Sequence, residues 1–362
     1  MKQVILSLIL FLGISFFNTS AIADDSIALD NGCSFIFMPK KENRNEQELI
    51  FVKNSKIEKR HQVGCNLIYG SFKDNLVVIY GDKVKGNSGY QLHLISTLDG
   101  EIGFSYLIEG VNVYAYIDAI LKTVCYVERE NSLIFIGMDL KNKSQEEVAK
   151  TKLFKFNLTS KKIEIIDLPE KSAGYAISLN EELVGIYSTS GSLIIVNSKG
   201  MELGRQAIDF TKGISPNRVS YCNVPHVGLF AWTEGGIIRK VASSDYKIES
   251  AITDIKVFNN LLFLSHYQYK SKDVLLCGYG KEGEKGISKL SILDPISSKV
   301  IWEKTFDQKF CTMAIALDKK SIELIDQETG QFSRYHVEED KMNSVLLLEI
   351  NKSDLPVLFQ CK

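Results

Sequence analysis

The chain has 362 residues, 45% hydrophobic and 24% charged, with a formal net charge of -1. That composition is ordinary for a globular protein and carries no general pull toward nucleic acid or an anionic membrane surface. Arginine supplies only seven of the 43 basic residues, so guanidinium recognition of phosphate is not a theme either.

The first element is an export signal. Lys2 supplies a minimal positive region, Val4 to Phe17 is a short apolar run, and Ala21-Ile22-Ala23 is an A-x-A cleavage pattern ahead of Asp24-Asp25. The run is too short for a comfortable membrane span, and no later stretch approaches about 18 apolar residues. No cysteine follows it closely, which excludes a lipoprotein. The organisation read here is a cleavable signal peptide over residues 1–23 and a single domain over 24–362, exported to the periplasm or secreted.

Past the signal, one pattern recurs. A strand of β-branched, aromatic or Leu residues meets a tight polar turn and a return strand. In chain order the hairpins start at Leu49, Leu92, Leu153, Leu193, Ile237, Leu290 and Ser321, with turns near residues 55, 99, 160, 199, 245, 297 and 328. Residues 24–362 divided among seven such units give about 48 residues each, close to the WD40 and kelch periods. The fold class expected is all-β, a single β-propeller of about seven four-stranded antiparallel blades. The turn spacing is irregular, so six or eight blades suit the sequence as well. A pair of sandwiches or a β-helix are the competing architectures. Helical periodicity is confined to Glu146–Lys155, enough for about a turn.

Apolar runs between the hairpins supply the inner strands: Cys65–Tyr80, Tyr114–Gly137, Tyr175–Tyr187 and Asp254–Gln268. They are continuous in apolar residues because both faces of an inner strand pack against neighbours. Long polar connections begin at Lys40, Gly81, Met138 and Gly278 and, with the link from Asp209, leave on one face, opposite the tight turns. Binding is expected on that face, since long loops on a rigid scaffold usually carry it.

No chemical constellation stands out. The seven cysteines, Cys33, Cys65, Cys125, Cys222, Cys277, Cys311 and Cys361, show no C-x-x-C or metal-ligand spacing, and most read as small buried hydrophobes. Cys33 and Cys361 lie near the two ends, which a closed ring brings together, and are the one pair singled out for a disulfide. The histidines, His61, His93, His226, His266 and His336, form no metal or catalytic motif. His226 and His266 are the better placed to approach a central channel. Gly278-Tyr279-Gly280 reads as a tight turn, Asp139–Asn142 as an incomplete calcium loop, and Tyr114-Tyr116 and Tyr267-Tyr269 as strand packing. Asn142, Asn157 and Asn351 begin N-x-S/T sequons, of interest only in a eukaryotic source. No catalytic, cofactor-binding or metal residue is assigned.

The hairpin LSILDPISSKVIWEKTF, with Asp294, Lys299, Val300, Ile301 and Trp302, resembles the repeat of quinoprotein-type propellers, and Ile325–Gly330 and Leu98–Glu101 echo its turn. The resemblance implies the fold and the role of exported propellers as interaction platforms. With Trp232 and Trp302 the only tryptophans and no adjacent cysteine pair, it does not imply a bound pyrroloquinoline quinone. The Gly-His/Trp-Asp signature of WD40 repeats is also missing. The function expected is a non-catalytic protein-binding or scaffold module, with another protein as partner and no nucleic acid. The alternative is a periplasmic dehydrogenase-type or hydrolase-type enzyme, or a subunit of one, with its site at the channel mouth.

Overall fold

The computed structural model describes residues 33–38, 47–82, 89–113, 121–122, 124–139, 151–168, 173–179, 182–188, 192–207, 219–233, 236–258, 260–281, 286–316, 320–349 and 357–358. The signal segment and most of the long polar connections lie outside these residues.

Strands run through the chain as successive antiparallel meanders. The first sheet contains β1 (Cys33–Met38), β2 (Gln47–Lys53) and β3 (Lys56–Val63), and the second β4 (Cys65–Phe72), β5 (Asn75–Asp82), β6 (Gly89–Ser96) and β7 (Ile102–Glu109). The third is built on β11 (Ser132–Asp139), β12 (Thr151–Asn157) and β13 (Ile163–Asp167). Its inner edge comes in two short pieces, β8 (Val111–Val113) and β10 (Cys125–Val127), while β9 (Leu121–Lys122) lies parallel to β4.

The fourth sheet is β14 (Ala173–Ser178), β15 (Leu183–Ser188), β16 (Ser192–Asn197) and β17 (Glu202–Ala207). The fifth is β18 (Val219–Val224), β19 (Gly228–Thr233), β20 (Ile237–Ala242) and β21 (Ile248–Val257). A larger sheet follows: β22 (Leu261–Tyr269), β23 (Lys272–Tyr279), β24 (Ile287–Asp294), β25 (Lys299–Ile315), β26 (Ser321–Asp326), β27 (Gln331–His336) and β28 (Lys341–Leu347). Strand β25 joins its two halves, pairing with β24 mainly through Lys299–Thr305 and with β26 through Phe310–Ile315. The last strand, β29 (Val357–Leu358), returns to the first sheet and pairs antiparallel with β1, giving the order β29-β1-β2-β3. Meanders in sequence, with the first and last of the described strands in one sheet, are the arrangement of a β-propeller.

The core is a circuit of seams. One apolar cluster joins the first sheet to the second through Phe35, Phe51, Tyr69 and Val78. Others join the second to the third, the third to the fourth, the fourth to the fifth, and the fifth to β22–β24. Another packs β22–β24 against the second arm of β25 and beyond. A final cluster, with Ile36, Ile50, Val52, Ala314, Ile325, Phe332 and Leu348, joins the last strands back to the first sheet. Each fully buried aliphatic or aromatic side chain contributes about 1.5–3 kcal/mol, so these seams dominate the stability. The outermost strands β7, β13 and β17 alternate exposed and half-buried positions, as expected for a strand with one wet face.

The closing seam also holds charge. Arg334, Glu323 and Ser34 are all 2% exposed or less. Arg334 donates through Nη2 to the Ser34 hydroxyl at 2.8 Å and through Nε to Glu323 at 3.1 Å, and Ser34 in turn donates to Glu323.

The recurring turn has a physical basis. Asp99, within its turn, and the strand-end residues Asn157, Asn197, Asp294 and Asp326 each accept backbone N–H bonds two to four residues on through a side-chain oxygen, as an Asx turn does. At Asp294 the donors are Ile296 and Ser297, at 2.9 and 3.1 Å. The N–H of Ser297, more than anything else, holds the Asp294 carboxyl below its usual range.

Several sequence expectations change. Thr151–Lys155 is strand β12, so the helical reading of Glu146–Lys155 is wrong where it is described, and residues 146–150 lie outside. Its alternating Leu153 and Phe154 positions serve two seams, which a helix could not supply. Asp254–Val257 is not an inner strand but the end of outermost strand β21, paired to β20 through Ile237↔Val257. Inner strands of the next unit are β22 and β23 instead. Residues 114–120 of the proposed inner run lie outside the described residues. Gly278 is not a turn residue: it sits in β23, where a Cβ would fall 2.4 Å from the Met313 sulfur.

Two outcomes follow. Arg334→Ala strands a buried carboxylate and is expected to lower unfolding free energy by about 3–5 kcal/mol in urea titration, with Glu323→Leu plus Arg334→Met recovering most of it. Asp294→Ala is expected to cost about 1 kcal/mol at pH 7. Because folding depresses the Asp294 pKa, the wild-type advantage is present above the ordinary aspartate value and vanishes as pH falls through the folded one. Stability curves of both proteins at several pH values check this.

Candidate functional site

A groove open to solvent, with a cavity volume of about 670 Å³, lies between the fourth sheet and the β20–β21 turn of the fifth. Leu183, Ile195 and Tyr246 form its apolar part, and Leu203, Arg205, Asp245 and Lys247 border it. Its position follows from the alternation of β17, the outermost strand, whose wet face leaves Leu203 53% exposed next to Met201 at 59%. It belongs to the tight-turn end of the sheets, opposite the face expected for binding. The connections of that expected face, 39–46, 83–88, 140–150 and 282–285, lie outside the described residues.

Tyr246 is held in place. Its hydroxyl donates to the Leu179 carbonyl at 2.5 Å, and Asn223 Nδ2 donates both to that carbonyl at 2.7 Å and to the Tyr246 hydroxyl at 3.0 Å. The backbone at Tyr246 takes φ +59°, a left-handed turn conformation closed by its N–H bond to the Ser243 carbonyl.

Charges at the rim come in pairs. Arg205 grips Glu202 through Nε at 3.1 Å and Nη2 at 2.9 Å, and Lys247 meets Asp245 at 2.7 Å. Lys247, with help from Ser243, holds the Asp245 carboxyl far below the usual carboxylate range, and Asp245 raises Lys247 in return. Arg205 likewise lowers Glu202. Asp245, Lys247 and Glu202 therefore keep their charge at neutral pH and do not exchange protons there. The groove therefore mixes apolar side chains with paired charges at its rim.

The sequence-selected residues scatter. His226 is exposed in the β18–β19 turn. His266 lies in another sheet, where Nε2 meets Asp273 Oδ1 at 2.7 Å across the β22–β23 hairpin. That carboxylate was missed in the sequence, although the Lys270-Ser271 turn sets the register that places it. His61 bonds the Gly100 carbonyl at 2.7 Å. His93 bridges Tyr80 and Ser105 at 2.9 and 2.7 Å, and burial, with His61 nearby, lowers its pKa. His336 is buried, and its Nε2 has no hydrogen-bond partner among the described residues. No group of three or more His, Cys, Asp or Glu among the described residues could hold a metal ion.

Cys125, Cys222 and Cys277 are buried thiols within seams, as the sequence suggests, and burial pushes Cys311 up to about 12. Cys33 carries a free thiol, so no Cys33–Cys361 disulfide is formed in this structure, and Cys361 lies outside the described residues. Tyr267 is buried with its hydroxyl on the Lys320 carbonyl at 2.8 Å, while Tyr114 and Tyr116 lie outside the described residues. Asn157 spends its side chain on its own turn and on the Glu130 carbonyl, and Asn142 and Asn351 again lie outside.

No protein-family model matches the chain, and no curated protein matches it by sequence. Solved structures do. BBS1N, in its complex with ARL6DN, matches with a TM-score of 0.51 at 8% identity, over 82% of this chain and 88% of that one. The C-terminal WD40 domain of Sif2 gives 0.49 at 10% identity over 89% and 84%. The β-propeller domain of Cps50 (Swd1) from Myceliophteria thermophila gives 0.48 at 9% over 84% and 98%. At such identities the likeness bears on fold alone. Among the described residues, no helix is long and apolar enough to cross a membrane.

Tyr246→Phe is expected to remove the bond to Leu179 and the one accepted from Asn223, while Asn223 keeps the carbonyl satisfied, costing about 1 kcal/mol in urea unfolding. Tyr246→Ala is expected to cost at least twice that, because the ring leaves the apolar cluster as well.

Proposed function

We propose that the chain is an exported, non-catalytic β-propeller of seven four-stranded blades that holds a partner protein in the groove between its fourth and fifth sheets. The groove's composition carries the reading: apolar side chains at Leu183, Ile195 and Leu203, a tyrosine held by hydrogen bonds and two charge pairs at the rim. Dividing the largest sheet at β25 makes seven units of the described strands, in keeping with the seven hairpins of the sequence. The apolar run and A-x-A pattern of residues 1–23 support export. BBS1N, of similar fold, is seen in complex with ARL6DN, and a protein partner is proposed here by that analogy. The quinoprotein-like hairpin at Asp294–Trp302 enters as a likeness of repeat only.

Exposed apolar side chains beside a groove are the anchors a partner uses. Affinity capture from the native envelope or culture medium, with wild type and Leu203→Glu side by side, tests the reading. The expected result is a partner retained by wild type and depleted at least tenfold by the variant. Equal recovery on both would place the interaction elsewhere. Substrate turnover that is lost in Asp273→Ala, the partner of His266, would support the enzyme instead.

A further inference from the structure

The outer strands of the second sheet carry a hydrogen-bonded relay. His93 of β6 is directly opposite Ser105 of β7, and both project on the same face as Tyr80 of β5. The Ser105 side chain is exposed, and its Oγ lies 2.7 Å from His93 Nδ1. His93 Nε2 lies 2.9 Å from the Tyr80 hydroxyl, which in turn donates to the Gln62 carbonyl of β3 at 3.5 Å.

The direction of the relay follows from its far end. A phenol has one proton, and with that proton on the Gln62 carbonyl the Tyr80 oxygen accepts from Nε2–H. Neutral imidazole then keeps its lone pair on Nδ1, where it accepts the Ser105 hydroxyl proton. Burial first, and the neighbouring His61 second, lower the His93 pKa, so the ring is in this accepting form at neutral pH. A serine, a base within reach of it and a third group that orients the base are the parts of an activated nucleophile.

The surroundings supply two further parts. Strand β7 is the last of its sheet, so backbone N–H groups along its outer edge have no strand partner among the described residues and are open to a developing oxyanion. Leu107, two residues beyond Ser105 and so on the same face, is 41% exposed and offers contact to an apolar chain.

We propose that Ser105 is an acyl-acceptor site, taking an apolar acyl group from an activated ester with His93 as general base and Tyr80 as the positioning residue. Ser105 Oγ attacks the ester carbonyl carbon, its proton passes to His93 Nδ1, and the carbonyl π electrons move to oxygen. The tetrahedral adduct then collapses, its bond to the leaving oxygen breaks, and His93 returns the proton to that oxygen. The products are O-acylated Ser105 and an alcohol, with the imidazole neutral again. Ser105 belongs to the second sheet and the groove to the fourth and fifth, so this acylation is independent of what the groove binds.

The full chain is treated at neutral pH with p-nitrophenyl butyrate, nitrophenolate release is followed, and the digested product is read by mass spectrometry. The expected result is a burst of about one equivalent per chain, with the butyryl group on the peptide containing Ser105. Ser105→Ala, at an exposed position, is expected to abolish the burst, and His93→Gln to slow it at least about tenfold. The nitrogen NMR shifts of His93 are expected to show the Nε2–H tautomer in wild type and a mixture of both tautomers in Tyr80→Phe. A burst unchanged in Ser105→Ala, butyryl groups on lysines alone, or equal rates for His93→Gln and wild type would each overturn the assignment. So would the Nδ1–H tautomer in wild type, since Nδ1 could not then accept the serine proton.

Discussion

Everything in this fold depends on one sheet being made from both ends of the chain. Strands β1, β2 and β3 come from the start and β29 from near the end, and the seam beside them contains Ile36, Ile325 and Phe332. The other sheets form from local segments, with only β9 of the second sheet falling between β8 and β10 of the third, and their neighbours are already close in sequence. Only the closing seam has to gather residues about 300 positions apart, as Ser34 and Arg334 are, so it carries the largest loop-closure cost. The apolar residues supply the driving force there. The buried Ser34–Glu323–Arg334 group, whose desolvation roughly offsets its attraction, spans the two surfaces that meet there.

Turn chemistry and strand periodicity made most of this fold legible in the sequence. The positions of four outer turns could be read because Asp99, Asn157, Asn197 and Asp294 bind their own turn backbones, a local property that survives without tertiary context. The similar turn at Asp326 joins β26 to β27 and leaves β28 as the outermost strand, so the hairpin from Ser321 is not an outer one. Where neighbouring sheets share an apolar run, the reading failed. Asp254–Gln268 spans an outermost strand and the next innermost one, and hydrophobicity alone does not mark the boundary at Phe258. The unbroken course of β25 was also hidden, since the polar stretch Asp307–Lys309 looks like a strand end yet remains extended.

The groove was not legible at all. Leu183, Ile195, Leu203, Tyr246 and Lys247 come from two units, and none is distinctive by itself. Their meaning comes from packing the fourth sheet against the fifth, which fixes Tyr246 through Asn223 and Leu179. The His266–Asp273 pair lay within reach of sequence reasoning because a short turn sets its register. The long connections emphasised by the sequence and the groove found by geometry belong to opposite ends of the sheets.

The central claim is that the ring closes cooperatively through the first sheet. Hydrogen exchange read by mass spectrometry on a chain ending at Asp354, compared with the full chain, tests it most directly. The account predicts that amides of β1–β3 and β26–β28 lose protection together, although the stretch from Val63 to Ser321 separates them in sequence. Loss confined to β1, with β26–β28 protected as in the full chain, would contradict it.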